Sequence, residues 1–498
     1  MKRLIYTSII LASASVAAQQ KTDVLTRRLC HSSLETNVAT WRYGNPALMK
    51  DRFASSLTTI DAFWRYDSQQ EARLIEEGDG SNRAGIEAKA YVKKGSNDIW
   101  GEAGYDFGQR RNVMLNESSD YQTVYPYVTA DLVGLHEENY RFSGGFAHTL
   151  KGGVTLGAFA GYNALLAYRT VDPRPRNLTS DLDFAAGMRW RWLGVALKAG
   201  KYKQTNVVKF YNETFQPTVY HATGLGTDYF RFRGSNTNTY YNGRNFGIQA
   251  DAASALGKIT DAGIHVAYDY FGFDKIISSL NELPMASVAE HRFNAAAHIL
   301  TRFAATNTFA VEAEITRTQR DGNENIFGEA ENNIYPEIAS LTMFRRSTTE
   351  GSLRFAYEHT LGNVRIQARA TGGYASDRWR YTEPERLMEG NAAIAGADAA
   401  VAWHANRCVL SAKAGASARI RTSSKLTMPE TETSALNASA GRQYLLMANN
   451  DCTYHASAQA DFAANHRFGI FCRLAWTGFR YAGSVNASNY AATIGLVF

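Results

Sequence analysis

The sequence predicts an all-β protein, namely a single transmembrane antiparallel up-and-down β-barrel with short periplasmic turns and long extracellular loops. We expect about 18 strands, within a range of roughly 14 to 20. Three observations lead to this prediction. Apolar and polar residues alternate with a period of two over stretches of about 8–12 residues, which are long enough to cross an outer membrane at a tilt. Short and long connections alternate along the chain, and its last strand ends in an aromatic residue.

The composition excludes two other classes of protein. The chain has 498 residues, of which 45% are hydrophobic and 20% are charged, and its mean hydropathy is −0.32. A helical membrane protein needs runs of about 20 apolar residues, and no such run occurs. The aromatic fraction of 12% is too high for a disordered chain. The net charge of +6 is mild and gives no indication of a nucleic-acid partner.

The first residues predict secretion. Lys2 and Arg3 form a positive start, Leu4 to Val16 form a short apolar stretch, and small residues precede Gln19. This order is typical of a signal peptide, which we place at residues 1–18.

The remainder divides into two parts. Residues 19–54 do not alternate, and we expect either a plug inside the barrel or a loose periplasmic extension. Residues 55–498 are predicted to form the barrel.

The strands follow from the alternation, since each strand then has one apolar and one polar face. The clearest stretches are 86–93, 264–270, 309–316 and 364–371. Short connections are expected at 94–97, 193–194, 361–362, 405–406 and 465–466, and long ones at 109–137, 206–241, 319–349, 376–390 and 421–446. Residues 124–133 contain Pro126 and interrupt this order, so we place them in a loop, which leaves 18 strands.

Aromatic residues near the strand ends fit the girdles of a membrane barrel, with burial in a core as the alternative. The tryptophans concerned are Trp64, Trp100, Trp190, Trp192, Trp379 and Trp403. In the last strand, apolar residues share one face and end at Phe498. Such a strand resembles the assembly signal of bacterial outer-membrane barrels, and the residues that form this signal are Tyr490, Ile494, Leu496 and Phe498.

Charged residues on the polar faces predict a charged lumen. If Thr360 pairs with Asn363, Glu358 lies opposite Arg365. The same pairing sets two further arginines against each other, and two glutamates on the preceding strand could offset their repulsion. One interpretation is a constriction that selects anionic solutes, and the other is a salt-bridge ladder that rigidifies the lumen. The candidates are Glu312, Glu314, Arg354, Glu358, Arg365 and Arg369.

Two loops carry further candidates. Prolines stiffen the loop at 169–177, and its charged residues Asp172, Arg174 and Arg176 could bind an anionic ligand or a lipopolysaccharide phosphate. A rigid structural loop is the alternative. The aromatic-rich loop 206–241 is expected either to contact a partner or ligand, or to fold into the barrel mouth as a lid.

Enzyme and metal chemistry are not expected. No nucleophile elbow occurs, and the eleven histidines form no set with an acid and a nucleophile. His265 and His298 are predicted to face inward, but a metal needs three or more convergent ligands. The four cysteines show no metal-binding spacing, and we expect free thiols. We therefore predict no catalytic residues, no metal and no cofactor.

Several segments together resemble an uncharacterised family of Bacteroidota outer-membrane β-barrels. They are the signal peptide, Gly44-Asn45-Pro46-Ala47, residues 172–177, residues 324–328 and the terminal Phe498. The resemblance implies an outer-membrane location and assigns no catalytic residues. Such barrels often accompany TonB-dependent uptake receptors, which implies an accessory role in nutrient or metal uptake. This chain has no TonB-box-like segment and does not look like the receptor itself.

Two functions therefore remain open. The first is transport of a small solute through the barrel, and the second is a surface binding or assembly subunit with a closed lumen. A barrel hydrolase is the weakest alternative. The expected partners are outer-membrane lipid and lipopolysaccharide, the barrel assembly machinery, and a TonB-dependent receptor or surface lipoprotein.

Overall fold

The computed structural model describes residues 23–50, 52–115, 126–129, 133–212, 214, 219–233, 238–256, 259–304, 306–332, 334–428, 434–481 and 485–498. The signal peptide predicted at 1–18 lies outside these residues. Eighteen antiparallel strands follow one another around a single sheet, and the last pairs with the first. The barrel is closed, so the predicted fold class and the predicted strand number are confirmed.

The barrel strands are β1 Leu57–Gln69, β2 Gly80–Lys94, β3 Asn97–Val113, β4 Val133–Thr149, β5 Val154–Tyr168, β6 Arg174–Trp190, β7 Leu193–Lys209, β8 Thr239–Leu256 and β9 Thr260–Ile277. They continue as β10 Leu283–Ala304, β11 Asn307–Phe327, β12 Glu337–Leu361, β13 Val364–Tyr381, β14 Arg386–Ala405, β15 Cys408–Thr427, β16 Asp451–Ala463, β17 Gly469–Tyr481 and β18 Val485–Val497. Each strand is hydrogen-bonded to its neighbours in chain order.

One face of each strand points outward and is apolar. Ile315, Leu474 and Ile494 are 52%, 60% and 60% exposed on this outer face. Large apolar side chains are left in this state when the surrounding solvent is lipid. The alternation in the sequence therefore corresponds to an outward belt and an inward polar wall.

The tryptophans divide between these two faces. Trp64, Trp190, Trp192 and Trp403 are between 44% and 54% exposed, as expected for a girdle. Trp379 is instead buried against Phe344, and Trp100 lines an internal cavity, so the girdle prediction is wrong for these two residues.

The predicted short connections lie close to the observed turns, but the long loops predicted at 319–349 and 376–390 are mostly strand, and the prediction is wrong there. β11 extends to Phe327 and β12 begins at Glu337, while β13 extends to Tyr381 and β14 begins at Arg386. These strand ends carry polar residues on both faces, so the apolar–polar alternation does not mark them.

The turn expected at 193–194 lies at 191–192, because Leu193 already pairs with Trp190. Residues 127–129 form a short strand that pairs with residues 219–221 outside the barrel wall. This agrees with the prediction that this segment belongs to a loop. The strands Tyr127–Thr129, Val219–Gly224 and Thr227–Asp228 form a small sheet on the long-loop side of the barrel.

Four helical pieces precede the barrel, and one helix lies in a long loop. They are α1 Val24–His31, α2 Leu34–Asn37, the 3₁₀ turns Thr40–Gly44 and Pro46–Met49, and α3 Ala435–Ala448. Further 3₁₀ turns occupy Phe230–Phe232 and Ser278–Leu280. Among the described residues, no helix has both the length and the apolar character to span a membrane.

Candidate functional site

Residues 23–50, which we name the N-terminal ring, lie inside the barrel at the short-turn end. The ring starts beside β16 and β17, where Arg28 Nε lies 2.5 Å from Asp461 Oδ1 and the guanidinium lies over the Phe471 ring. It then passes β12, where the backbone N–H of Leu34 donates to Glu358 Oε2 at 2.9 Å. The ring therefore runs around the wall in the direction opposite to the strand order.

The next contacts continue in the same direction. The backbone N–H of Ala39 donates to Glu312 Oε1 of β11 at 2.7 Å. Gln249 of β8 donates to the carbonyl oxygen of Arg42 at 2.9 Å. These wall side chains thus provide hydrogen-bond partners for backbone groups of the ring that would otherwise be buried without one.

Glycines on β5, β6 and β7 make room for the ring. A Cβ at Gly187 would lie 1.9 Å from Asn45 Oδ1, and one at Gly157 would lie 2.4 Å from the nitrogen of Ala47. Asn45 is fully buried, and its side chain accepts from the N–H of Ala47 at 3.0 Å. These glycines are the sequence signal that would have revealed the docking face of the ring.

The ring ends beside β2 and β3, immediately before β1. The hydroxyl of Tyr91 donates to the carbonyl oxygen of Met49 at 3.2 Å, and Lys50 Nζ lies 3.3 Å from Asp98 Oδ1. The ring thus contacts the wall around the whole circumference and narrows the lumen at the short-turn end.

The predicted hairpin register is wrong by two residues. Leu361 pairs with Val364, so Glu358 lies opposite Gln367 and not Arg365. The cause is the position of the turn: Gly362 has a φ of +56°, which places it in the two-residue turn and shifts the pairing.

Most of the candidate charged residues of the lumen form hydrogen bonds or ion pairs with the ring or with other wall residues. Arg365 donates to the carbonyl oxygen of Leu29 at 2.6 Å. Arg354 Nη1 lies 3.3 Å from Glu312 Oε2, and Glu314 accepts from Asn294 at 2.8 Å. By the same shift in register, Arg354 lies opposite Thr371 instead of the predicted Arg369, which lies opposite Ala356 on that side and Asp398 on the other.

The loop candidates lie at the outer end of the barrel. Asp172 Oδ2 accepts from the N–H groups of Tyr211 and Asn212 at 2.6 and 2.7 Å, and its Oδ1 accepts from Arg174 at 2.8 Å. Asp172 therefore braces two loops against each other. Arg176 is exposed at the start of β6.

The last strand has the predicted common face. Tyr490, Ile494 and Leu496 point outward, and Leu496 pairs with Ile60 of β1. The backbone of Phe498 exchanges two hydrogen bonds with Thr58. The proposed assembly role of these residues stays a prediction.

A second closure, which we name the lid, covers the long-loop end of the barrel. It consists of residues 219–233 and α3, packed on the inward ends of the wall strands. Phe344 of β12 is 1% exposed and meets Gly224, and Arg386 donates to the carbonyl oxygen of Leu225 at 2.8 Å. The buried core beneath the lid comprises Leu225, Phe232, Tyr241, Phe273, Ile277, Leu283, Met285, Ala286, Val288, Phe327, Phe344, Trp379, Tyr381, Met388, Ala440 and Met447.

Loop 206–241 thus contributes aromatic side chains to a lid. Phe232 packs beside Tyr229 at a ring distance of 5.1 Å, whereas Tyr211 is 62% exposed. Phe215 lies outside the described residues. Lys275 of β9 is fully buried under the lid, its Nζ has no hydrogen-bond partner among the residues described, and it lies 5.9 Å from the Tyr241 ring centre.

The histidines predicted to face inward do so. His265 Nδ1 lies 2.8 Å from Asp251 Oδ1, and His298 Nε2 lies 3.8 Å from Asp261 Oδ2. In the part of the chain that the structure describes, no three histidine, cysteine, aspartate or glutamate side chains converge as metal ligands.

The lumen contains four cavities of about 340, 450, 570 and 500 Å³, whose linings combine charged and apolar side chains. Three of them have more arginine and lysine than acidic residues in their linings. Arg65, Arg419 and Arg473 line these cavities and have no ion-pair partner within the described ranges. The interior is therefore a charged chamber with a closure at each end.

These features define a class: an 18-stranded transmembrane β-barrel whose charged lumen is closed at both ends by segments of the same chain. Within this class, the chain belongs to DUF6850, a family of unknown function, whose profile matches residues 46–498. The expected resemblance to an uncharacterised barrel family is confirmed to that extent, while a Bacteroidota origin stays a prediction. No curated relative matches the sequence significantly.

Solved structures with a similar arrangement include the ferric enterobactin receptor PfeA from Pseudomonas aeruginosa, at 8% identity and a TM-score of 0.40, covering 89% of this chain and 82% of that one. The FrpB iron transporter from Neisseria meningitidis is 8% identical with a TM-score of 0.38, over 88% of this chain and 81% of that one. The CymD monoaromatic hydrocarbon channel is 10% identical with a TM-score of 0.33, over 92% of this chain and 92% of that one. All TM-scores are below 0.5, so the barrel assignment rests on the strand pairing alone.

Proposed function

We propose that this protein is an integral outer-membrane barrel that transports a small charged solute through its lumen. The carrying observation is the charged chamber enclosed between two closures that are built from loops and a terminal segment. Neither closure includes a wall strand, so both can move while all 18 strand pairings persist. The apolar outer belt, with short turns at one end and long loops at the other, supports the outer-membrane location.

The chemistry of the wall supports a charged solute. Arg65 lines the lumen with no carboxylate within ion-pair distance among the described residues, and Arg419, opposite Asp451, lines a second cavity together with Glu350. Unpaired charges on a pore wall favour ions and polar solutes over apolar ones. We further propose that the protein is not an enzyme and that it acts beside a TonB-dependent receptor or a surface lipoprotein.

A closed surface subunit is the second candidate function. The observation that favours it is the dense core beneath the lid, in which Phe344 and Met388 are almost completely buried. A lid of this kind is expected to stay closed unless something opens it. The two functions therefore differ in whether the lid and the ring can be released from an intact barrel.

Planar-bilayer conductance of the full chain tests the proposal. Gly187→Leu displaces the ring, because a side chain at this position overlaps Asn45, and Phe344→Ala weakens the lid. We expect the wild type to be nearly silent and the double variant to form steady channels. The matched control combines Gly372→Leu with Phe246→Ala, since a Cβ at Gly372 meets nothing within 4 Å and Phe246 is 49% exposed on the outer face.

The outcomes are distinct. Channels in the double variant and silence in the control support transport. A silent double variant that still shows heat-modifiable migration, and whose ring is cleaved by added protease, refutes transport and favours the surface subunit.

A further inference from the structure

One cavity lies between the N-terminal ring and the wall, at the periplasmic end of the chamber. Its volume is about 340 Å³, and it is bounded by α1 on one side and by β13 to β17 on the other. The same space therefore touches a movable segment and the fixed wall.

The cavity has two chemically different sides. Leu29 of α1, Leu57 and Ala402 are partly exposed and provide an apolar surface, and Leu25 and Val409 are buried behind them. The opposite side is polar, and its residues follow from the strand register. Ser411, Gln459 and Arg473 lie side by side on β15, β16 and β17, and Lys413 pairs with Ser457 in the next row.

The charges in this cavity do not balance. Arg28 is paired with Asp461, and Lys413 Nζ lies 3.2 Å from Asp398 Oδ1. Arg365 also lines the cavity, and its Nε lies 3.9 Å from Glu358 Oε2. Arg473 is then the remaining cation of the lining, and within the described ranges no carboxylate lies within ion-pair distance of it. Burial lowers the pKa of the Arg28 guanidinium, the carboxylates of Asp461 and Asp61 act in the opposite direction, and the positive charge of Arg473 lowers it again.

From this arrangement we infer that the cavity binds a small organic monoanion, a carboxylate on a short apolar body. The carboxylate accepts hydrogen bonds from the guanidinium of Arg473 and the hydroxyl of Ser457, and it neutralises the excess charge. The apolar body packs against Leu29, Leu57 and Ala402. Neither an inorganic ion nor a neutral hydrocarbon uses both sides of the cavity.

The inference names the substrate class of the proposed transport function and rests on that function for its biological meaning. Its binding test is independent. Since Leu29 belongs to the ring, the bound anion contacts the ring and the wall together, and its binding is linked to ring docking.

Isothermal titration calorimetry of the full chain in detergent, with benzoate as the probe and benzamide as its neutral counterpart, tests the inference. We expect benzoate to bind and benzamide to bind far more weakly. Arg473→Gln removes the charge and should weaken benzoate binding by roughly 10- to 150-fold. Arg473→Lys keeps the charge and should recover part of the affinity. Arg407→Gln is the matched control, because Arg407 is exposed in the turn between β14 and β15 and is not part of the cavity lining.

Equal binding of benzoate and benzamide, no binding of either probe, or equal losses in Arg473→Gln and Arg407→Gln would overturn the inference. Heat-modifiable migration of each variant verifies that the barrel is folded. Benzoate binding by a chain whose double variant does not conduct supports the site and refutes transport. Conductance without benzoate binding refutes the site and leaves transport in place.

Discussion

Replacing Phe344 with alanine weakens the lid while the barrel wall keeps its strand pairing. The Phe344 ring meets Trp379 edge-on at 5.8 Å and an interplanar angle of 86° on one side, and Gly224 of the lid on the other. A buried Phe→Ala change costs about 3–5 kcal/mol in total. Because Trp379 belongs to the wall, that contact persists when the lid opens.

Opening the lid loses only the packing energy between Phe344 and the lid. Taking half of the total gives ~2 kcal/mol, which corresponds to roughly a 30-fold larger population of the open lid. Amide exchange reports such local opening directly, since Val219–Gly224 is the lid strand that Phe344 covers.

The assay is hydrogen exchange with mass spectrometry on the full chain in detergent. We expect the amides of residues 219–224 to exchange roughly 30-fold faster in Phe344→Ala, with the strands of the wall unchanged. Phe246→Ala serves as the control, because it removes the same atoms from the outer face. A change of less than about threefold, or an equal change in the control, refutes the assignment of Phe344 to lid closure.

Two further predictions concern buried basic groups. The desolvated ring of His31 has a pKa lowered from 6.5 to about 4, and its Nε2–H donates to the carbonyl oxygen of Ser55 at 2.7 Å. The docking of the N-terminal ring should therefore weaken as pH falls from 6.5 through 4. Added protease should cleave the ring faster at pH 4.5 than at pH 7 in the wild type, but not in His31→Phe. A cleavage rate that is independent of pH in both proteins contradicts this prediction. Lys275→Met removes an amino group that, among the described residues, is buried without a hydrogen-bond partner or counter-ion, and it should stabilise the closed lid by at least ~1 kcal/mol, seen as slower amide exchange of residues 219–224. Faster exchange in Lys275→Met would show that the amino group has a favourable partner.

The strands could be predicted from the sequence because the alternation has a steric origin. Successive side chains in a strand must point to opposite faces, so a membrane on one side and water on the other are recorded in every second residue. The hairpin register could not be derived in the same way, because it depends on the position of a two-residue turn. Gly362, with its positive φ, determines that position, and a shift of two residues keeps the faces while changing every neighbour.

The ring and the lid lay beyond the reach of periodicity. Residues 23–50 carry no repeat, and their path depends on gaps in the wall at Gly157, Gly187 and Gly194. These glycines occupy inward positions on neighbouring strands, so the signal existed once the strands were paired. The resemblance carried by Gly44-Asn45-Pro46-Ala47 pointed to the same segment without indicating where it docks.

The candidate anion site was missed because pairing decides which arginines are available. Arg354 and Arg365 are conspicuous in the sequence, but Arg354 is paired with Glu312, and Arg365 donates to the carbonyl oxygen of Leu29. Arg473 is inconspicuous and remains unpaired among the described residues. Its availability depends on three strands meeting in a particular register, which local patterns do not determine.

The course of the N-terminal ring has a mechanical consequence. A segment bonded to the wall at Asp461, Glu358, Gln249 and Tyr91 resists flattening of the barrel, because an oval cross-section would stretch some of these contacts and compress others. It also precedes β1, whose pairing with β18 closes the sheet. Lateral pressure from the surrounding bilayer is therefore transmitted to the segment that narrows the lumen, and the roundness of the barrel and the width of its passage are set together.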